Sequence, residues 1–120
     1  MHALDRSRDA IFVERLHAKS LARGLAWSPT EHEGRYQVQV GEFIVEIGDG
    51  GGDADHADPE ILICRPDGRA LEILTPSLLP EAVNADGVTQ RQAFVETYEI
   101  ARRIALGVDS VIENLIENLL

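Results

Sequence analysis

The sequence predicts an α+β domain: an N-terminal helix, an antiparallel sheet of two consecutive β-hairpins (about four strands), and two C-terminal helices packed on the sheet. Three observations carry this. Apolar residues recur every three or four positions near both ends of the chain. They alternate in the middle, and Gly41-Glu42 and Pro66-Asp67-Gly68 punctuate the alternating runs as turns.

Residues 6–24 read as the first helix. Phe12, Val13, Leu16 and Leu21 share a face, with His17, Ser20 and Gly24 in the same arc. Gly24 suits a helix stop, and Ser28-Pro29 opens a polar connection.

The first hairpin spans 35–48. Tyr36, Val38 and Val40 alternate with glutamines, and Phe43, Val45 and Ile47 resume with shifted parity. A two-residue turn with Gly41 in its first position explains the shift, as in a type II′ hairpin. It sets Val40 opposite Phe43, Val38 opposite Val45 and Tyr36 opposite Ile47. One continuous strand bulged at Gly41 is the competing reading.

An acidic Gly/Asp loop, 49–59, leads to the second hairpin, 60–75. There Pro66 presets a type I turn and Gly68 accepts the left-handed conformation that closes it. The implied pairs are Ile63 with Leu71 and Ile61 with Ile73.

After an irregular stretch with two prolines, Thr89 and Gln92 form a capping box that opens a helix over 89–106. Its apolar face holds Phe94, Thr97, Tyr98, Ala101, Ile104 and Ala105, and Gly107 ends or bends it. Ser110-x-x-Glu113 offers a second box for a helix over 110–119. Val111, Ile112, Leu115, Ile116 and Leu119 form its stripe.

One domain over 1–120 accommodates all of this, since a chain of 120 residues buries roughly two-thirds of its unfolded surface without a disulfide or metal. The net charge of −10 disfavours nucleic acid and anionic membrane as partners. Residues 1–23 carry five basic and three acidic side chains, a net of +2, whereas the rest carry six and eighteen, a net of −12. Arg15, Lys19 and Arg23 line one side of the first helix, the ordinary solvated stripe. Ten arginines to one lysine suit a GC-rich bacterial genome. The first 30 residues lack an apolar signal core, so a cytoplasmic location is expected.

No cluster has catalytic or cofactor spacing. The single cysteine, Cys64, excludes a CxxC motif. It lies on a strand beside Arg65, where a cation could activate a thiol, but a buried structural cysteine is the usual case. His17 reads as a boundary histidine with one satisfied nitrogen. Glu46 and Glu72 lie on strands that could be neighbours, where a carboxylate pair is formally possible, but charged strand residues facing solvent are the ordinary case. Asp49, Asp53, Asp55 and Asp58 are the candidate oxygen ligands for a hard cation, yet their spacing departs from the EF-hand register. A solvated connection is the plain alternative. No cofactor is expected.

The expectation that bears most on function concerns uncovered apolar residues. The predicted core face holds Tyr36, Val38, Val40, Phe43, Val45, Ile47, Ile61, Ile63, Leu71 and Ile73, and behind it Ile44, Leu62, Cys64, Ala70 and Leu74 make half of the second sheet face apolar. A sheet with one wet face alternates more cleanly. Together with Ile112, Leu115, Ile116 and Leu119, these residues point to a protein-interaction module, with a homodimer among its forms. The alternatives are a small calcium-type binding protein using the 49–60 loop, or a small enzyme with a dispersed site invisible in sequence.

Overall fold

A computed structural model describes residues 7–49, 59–79 and 87–120. Helix α1 (Ser7–Leu21) buries Ala10, Val13, Leu16, His17 and Ser20, a single face at helical spacing. It ends earlier than expected. The Arg23 and Gly24 amides bond back to Ser20 and Lys19, with Arg23 itself in the left-handed region (φ 59°), and Leu21 is turned out to solvent. Trp27 then folds back, its indole donating to Ser20 Oγ at 3.2 Å.

The sheet has five strands rather than four, arranged as an antiparallel meander in chain order. The extra strand, β1 (Ser28–Pro29), pairs Ser28 with Gln37 and Pro29 with Tyr36 at the sheet edge, where proline's missing donor is tolerated. Strands β2 (Arg35–Val40) and β3 (Phe43–Asp49) adopt the expected register: Tyr36 opposite Ile47, Val38 opposite Val45, Val40 opposite Phe43. Gly41 has φ 61°, which the tight turn requires. Val40 and Phe43, at the hairpin tip, are nevertheless exposed, so Phe43 is not core.

Strands β4 (Pro59–Cys64) and β5 (Ala70–Leu74) are joined by the expected turn. The Gly68 amide bonds to the Arg65 carbonyl, and the Arg69 amide to Asp67 Oδ1. Their register differs from expectation. Next to the turn Cys64 pairs with Ala70, but the following pairs are Ile63–Glu72, Leu62–Ile73 and Ile61–Leu74. Leu71 is the additional residue of a bulge, which shifts the strand by one and reverses its faces. Leu74, expected on the back face, is fully buried in the core. Leu71 and Ile73, expected in the core, are each 45% exposed.

After a 3-10 turn at Pro76–Leu78, helix α2 (Gln90–Ala105) opens with the expected capping box. The Gln92 amide bonds to Thr89 Oγ1, and the Thr89 amide to Gln92 Oε1. Helix α2 crosses the core face, touching β1 through β4, while α1 packs along it. Phe94, Ile47, Ile61, Leu74, Val13 and Val45 are fully buried in this core, with Trp27 and Tyr36 buried at its margin. Thr97 is buried among them with its hydroxyl donated to the Ala93 carbonyl at 2.6 Å.

Helix α3 (Val108–Asn118) starts two residues earlier than expected. Gly107, left-handed at φ 63°, is its N-cap, so Ser110 lies inside the helix and caps nothing. Helix α3 packs on α2 and buries none of its residues. The molecule is elongated, 64 × 36 × 31 Å.

Candidate interaction surfaces

Two faces of the sheet follow from the observed register. One meets α2. The other carries the rows Arg35–Gly48–Glu60, Gln37–Glu46–Leu62–Ile73 and Gln39–Ile44–Cys64–Ala70. This back face divides into a charged half and an apolar half.

In the charged half, Arg35 lies across Gly48 and binds Glu46 and Glu60, the latter at 3.1 Å. It also donates to the Asp49 carbonyl at 3.2 Å. All three charged side chains are about four-fifths buried. Burial lowers the Arg35 pKa, but hydrogen bonding and attraction from Glu46, then from Glu60, outweigh it and hold the guanidinium above its ordinary value. Gly48 makes room for this arrangement: a Cβ there would stand 2.8 Å from Arg35 Cγ. Sequence reasoning missed the clamp. Its one signal was Arg35, Gly48 and Glu60 lying in a single row, which needs the β3–β4 register to be seen.

In the apolar half, Ile44 and Leu62 are half-buried and Ile73 is exposed across β3, β4 and β5, and the bulged Leu71 of β5 is exposed as well. No described element covers them. Cys64 belongs to this face but is only 6% exposed, and desolvation, then Glu46, pushes its thiol pKa up against the weaker pull of Arg35. That is an inert thiol rather than an activated one.

Helix α3 supplies the second uncovered surface. Val111, Ile112, Leu115 and Ile116 are 40–57% exposed and Leu119 is 84% exposed. Glu113 and Glu117 lie outside the stripe, and Asp109 is paired with Arg103 of α2. No lysine or arginine occurs in α3.

The remaining candidates do not assemble. Glu46 is on the back face and Glu72, paired with Ile63, has core-face parity, so they form no acid pair. His17 Nε2 lies 3.1 Å from Glu96 Oε1, a link between α1 and α2 with one nitrogen satisfied. Asp49 ends β3, while Asp53, Asp55 and Asp58 lie outside the described residues. Among the described residues no three metal-ligating side chains cluster. A cleft of about 180 Å³ lies between α2 and the ends of β3 and β4, lined by Asp49, Pro59, Val95, Tyr98 and Glu99. Tyr98 stacks at a tilt on Tyr36, centroids 5.8 Å apart. Burial, then Tyr36, Asp49 and Glu99, raises its pKa, against Arg102. As bounded by the described residues, the cleft is smaller than the roughly 300 Å³ at which ligand pockets begin.

No family model, no curated protein and no solved structure matches this chain. Among the described residues no helix is long and apolar enough to cross a membrane.

Proposed function

We propose that the chain is a protein-interaction module that binds through helix α3 and the apolar half of the sheet's back face. The observation that carries the reading is α3 itself: a complete amphipathic helix with none of its residues buried. Each large apolar side chain gains roughly 1.5–3 kcal/mol on burial, so this stripe stores binding free energy. The same residues contribute little to the monomer's own stability. Contiguous apolar surface of this kind, rimmed by polar groups, characterises protein-binding sites.

The test is a photocrosslinking residue placed at Leu115 and, as a control, at Glu113 on the opposite side of α3, in the native host. A discrete protein adduct at position 115, of whatever mass and absent at 113, supports the reading. Equal labelling at both positions, or none, overturns it.

A further inference from the structure

The apolar stripe keeps its phase across the bend between α2 and α3. Phe94, Ala101, Val108 and Leu115 recur every seven residues, and so do Tyr98, Ala105, Ile112 and Leu119. On one uninterrupted helix, at about 100° per residue, these residues with Ile104 and Val111 fall within an arc of about 140°. Every charged residue from Arg91 to Glu117 lies outside that arc. Two helices divided by an independent stop have no reason to share a phase, whereas one helix interrupted at a single residue does.

The interruption is a single residue. Leu106 is still right-handed (φ −94°, ψ −1°) and Val108 begins α3, so the bend rests on Gly107 at φ 63°, ψ 34°. Glycine adopts left-handed and right-handed conformations about equally well. A Cβ at Gly107 would meet nothing within 4 Å, so the glycine serves the dihedral and not a close approach.

We infer that Gly107 is a two-state switch: with this residue right-handed, α2 and α3 become one continuous helix over Gln90–Asn118, and the observed bend is the latched state. The latch is the ion pair of Arg103 on α2 with Asp109 on α3. Residues six apart on a continuous helix point about 120° away from each other, so this pair exists only in the bend. The backbone favours the opposite state. Gly107 gives the first amides of α3 no side-chain cap, and a continuous helix pairs them with the last carbonyls of α2. Because α3 buries none of its residues, straightening breaks no core contact. The continuous helix is about 43 Å long at 1.5 Å per residue and carries the stripe of α3 out along the line of α2. The switch thus sets where that stripe is presented, whatever binds it.

Pulsed dipolar electron paramagnetic resonance measures the two states, with nitroxide labels on Val95→Cys and Glu117→Cys in a full chain carrying Cys64→Ala. Both labelled positions are exposed. On a continuous helix they stand about 33 Å apart, and the bend shortens that distance. The parent chain should show both distances. Gly107→Ala should raise the long-to-short ratio at least about tenfold, since alanine disfavours the left-handed region and favours the helix. Asp109→Asn removes the latch and leaves every backbone bond in place, so it should raise the ratio about two- to fivefold.

A single distance in the parent, or the short one alone in Gly107→Ala, overturns the switch. A broad, structureless distribution, the mark of a frayed α3, also overturns it. A ratio unmoved by Asp109→Asn overturns the latch, and this surface substitution keeps the test open should Gly107→Ala misfold, as read by circular dichroism. An adduct at position 115 is expected whether or not the helices fuse, so failure of either reading leaves the other standing.

Discussion

Helices α2 and α3 are both amphipathic and are joined by two residues, yet α2 buries Ala93, Phe94, Thr97, Ile100 and Ala101 and α3 buries nothing. The stripe of α3 is no less apolar than that of α2. The difference lies in position: α2 meets a sheet, and α3 begins where that sheet's core face has already been covered. Hydrophobic period thus reports which side of a helix seeks burial, and chain connectivity decides whether the same molecule provides it.

The sharpest way to break this contrast is truncation in each helix. Phe94→Ala should cost about 3–5 kcal/mol, because a fully buried ring leaves a cavity at the centre of the core. Leu115→Ala should shift the monomer's unfolding free energy by no more than about 0.5 kcal/mol. Denaturant unfolding under dilute, monomeric conditions measures both. A large loss at Leu115 would mean that α3 is part of the core after all.

A second comparison sets the core face against the charged half of the back face. Gly48→Ala should destabilise by roughly 1–3 kcal/mol, since its Cβ must displace Arg35 and with it the pairs to Glu46 and Glu60. Equal stability of the two chains in urea would show that the clamp rearranges without loss.

The two helix starts provide a smaller test. Thr89→Ala should cost about 1 kcal/mol by removing a side-chain cap, whereas Ser110→Ala, inside α3, should stay within about 0.5 kcal/mol. Thermal melts of the pair measure the difference.

The mildest effect is expected from pH. Cys64 and Tyr98 both have raised pKa values, so folding favours their neutral forms. The stability they contribute is present in full below their ordinary values of 9.0 and 10.0 and falls as pH rises past them. Urea midpoints should therefore decline above pH 9, and less so in a Cys64→Ala chain.

Much of the fold was legible in the sequence. The first hairpin could be paired residue by residue because a two-residue turn leaves no freedom of register, and Thr89 with Gln92 marked the start of α2. The second hairpin was legible only as far as its turn. Beyond Cys64–Ala70, the run Leu71-Glu72-Ile73-Leu74 has apolar residues of both parities, so nothing in the pattern reveals the added residue. Strand β1 is two residues long and carries no period at all. Of the uncovered apolar residues, Ile44, Leu62 and the α3 stripe lie where the pattern placed them. Leu74 was misassigned, and Leu71 and Ile73 took its place for a single reason, the bulge. The Arg35 clamp depends on a register set across a long connection, which local spacing does not encode.

That bulge lets β5 carry one residue more than β4 pairs. Removing Leu71 would leave Ala70, Glu72, Ile73 and Leu74 opposite Cys64, Ile63, Leu62 and Ile61 in an unbroken ladder, so Ile73 would stay outside and Leu74 inside with one codon lost. A lineage could therefore gain or lose this extra side chain by a change in length alone, keeping its turn at Pro66-Asp67-Gly68 and every other side chain on the face it occupies.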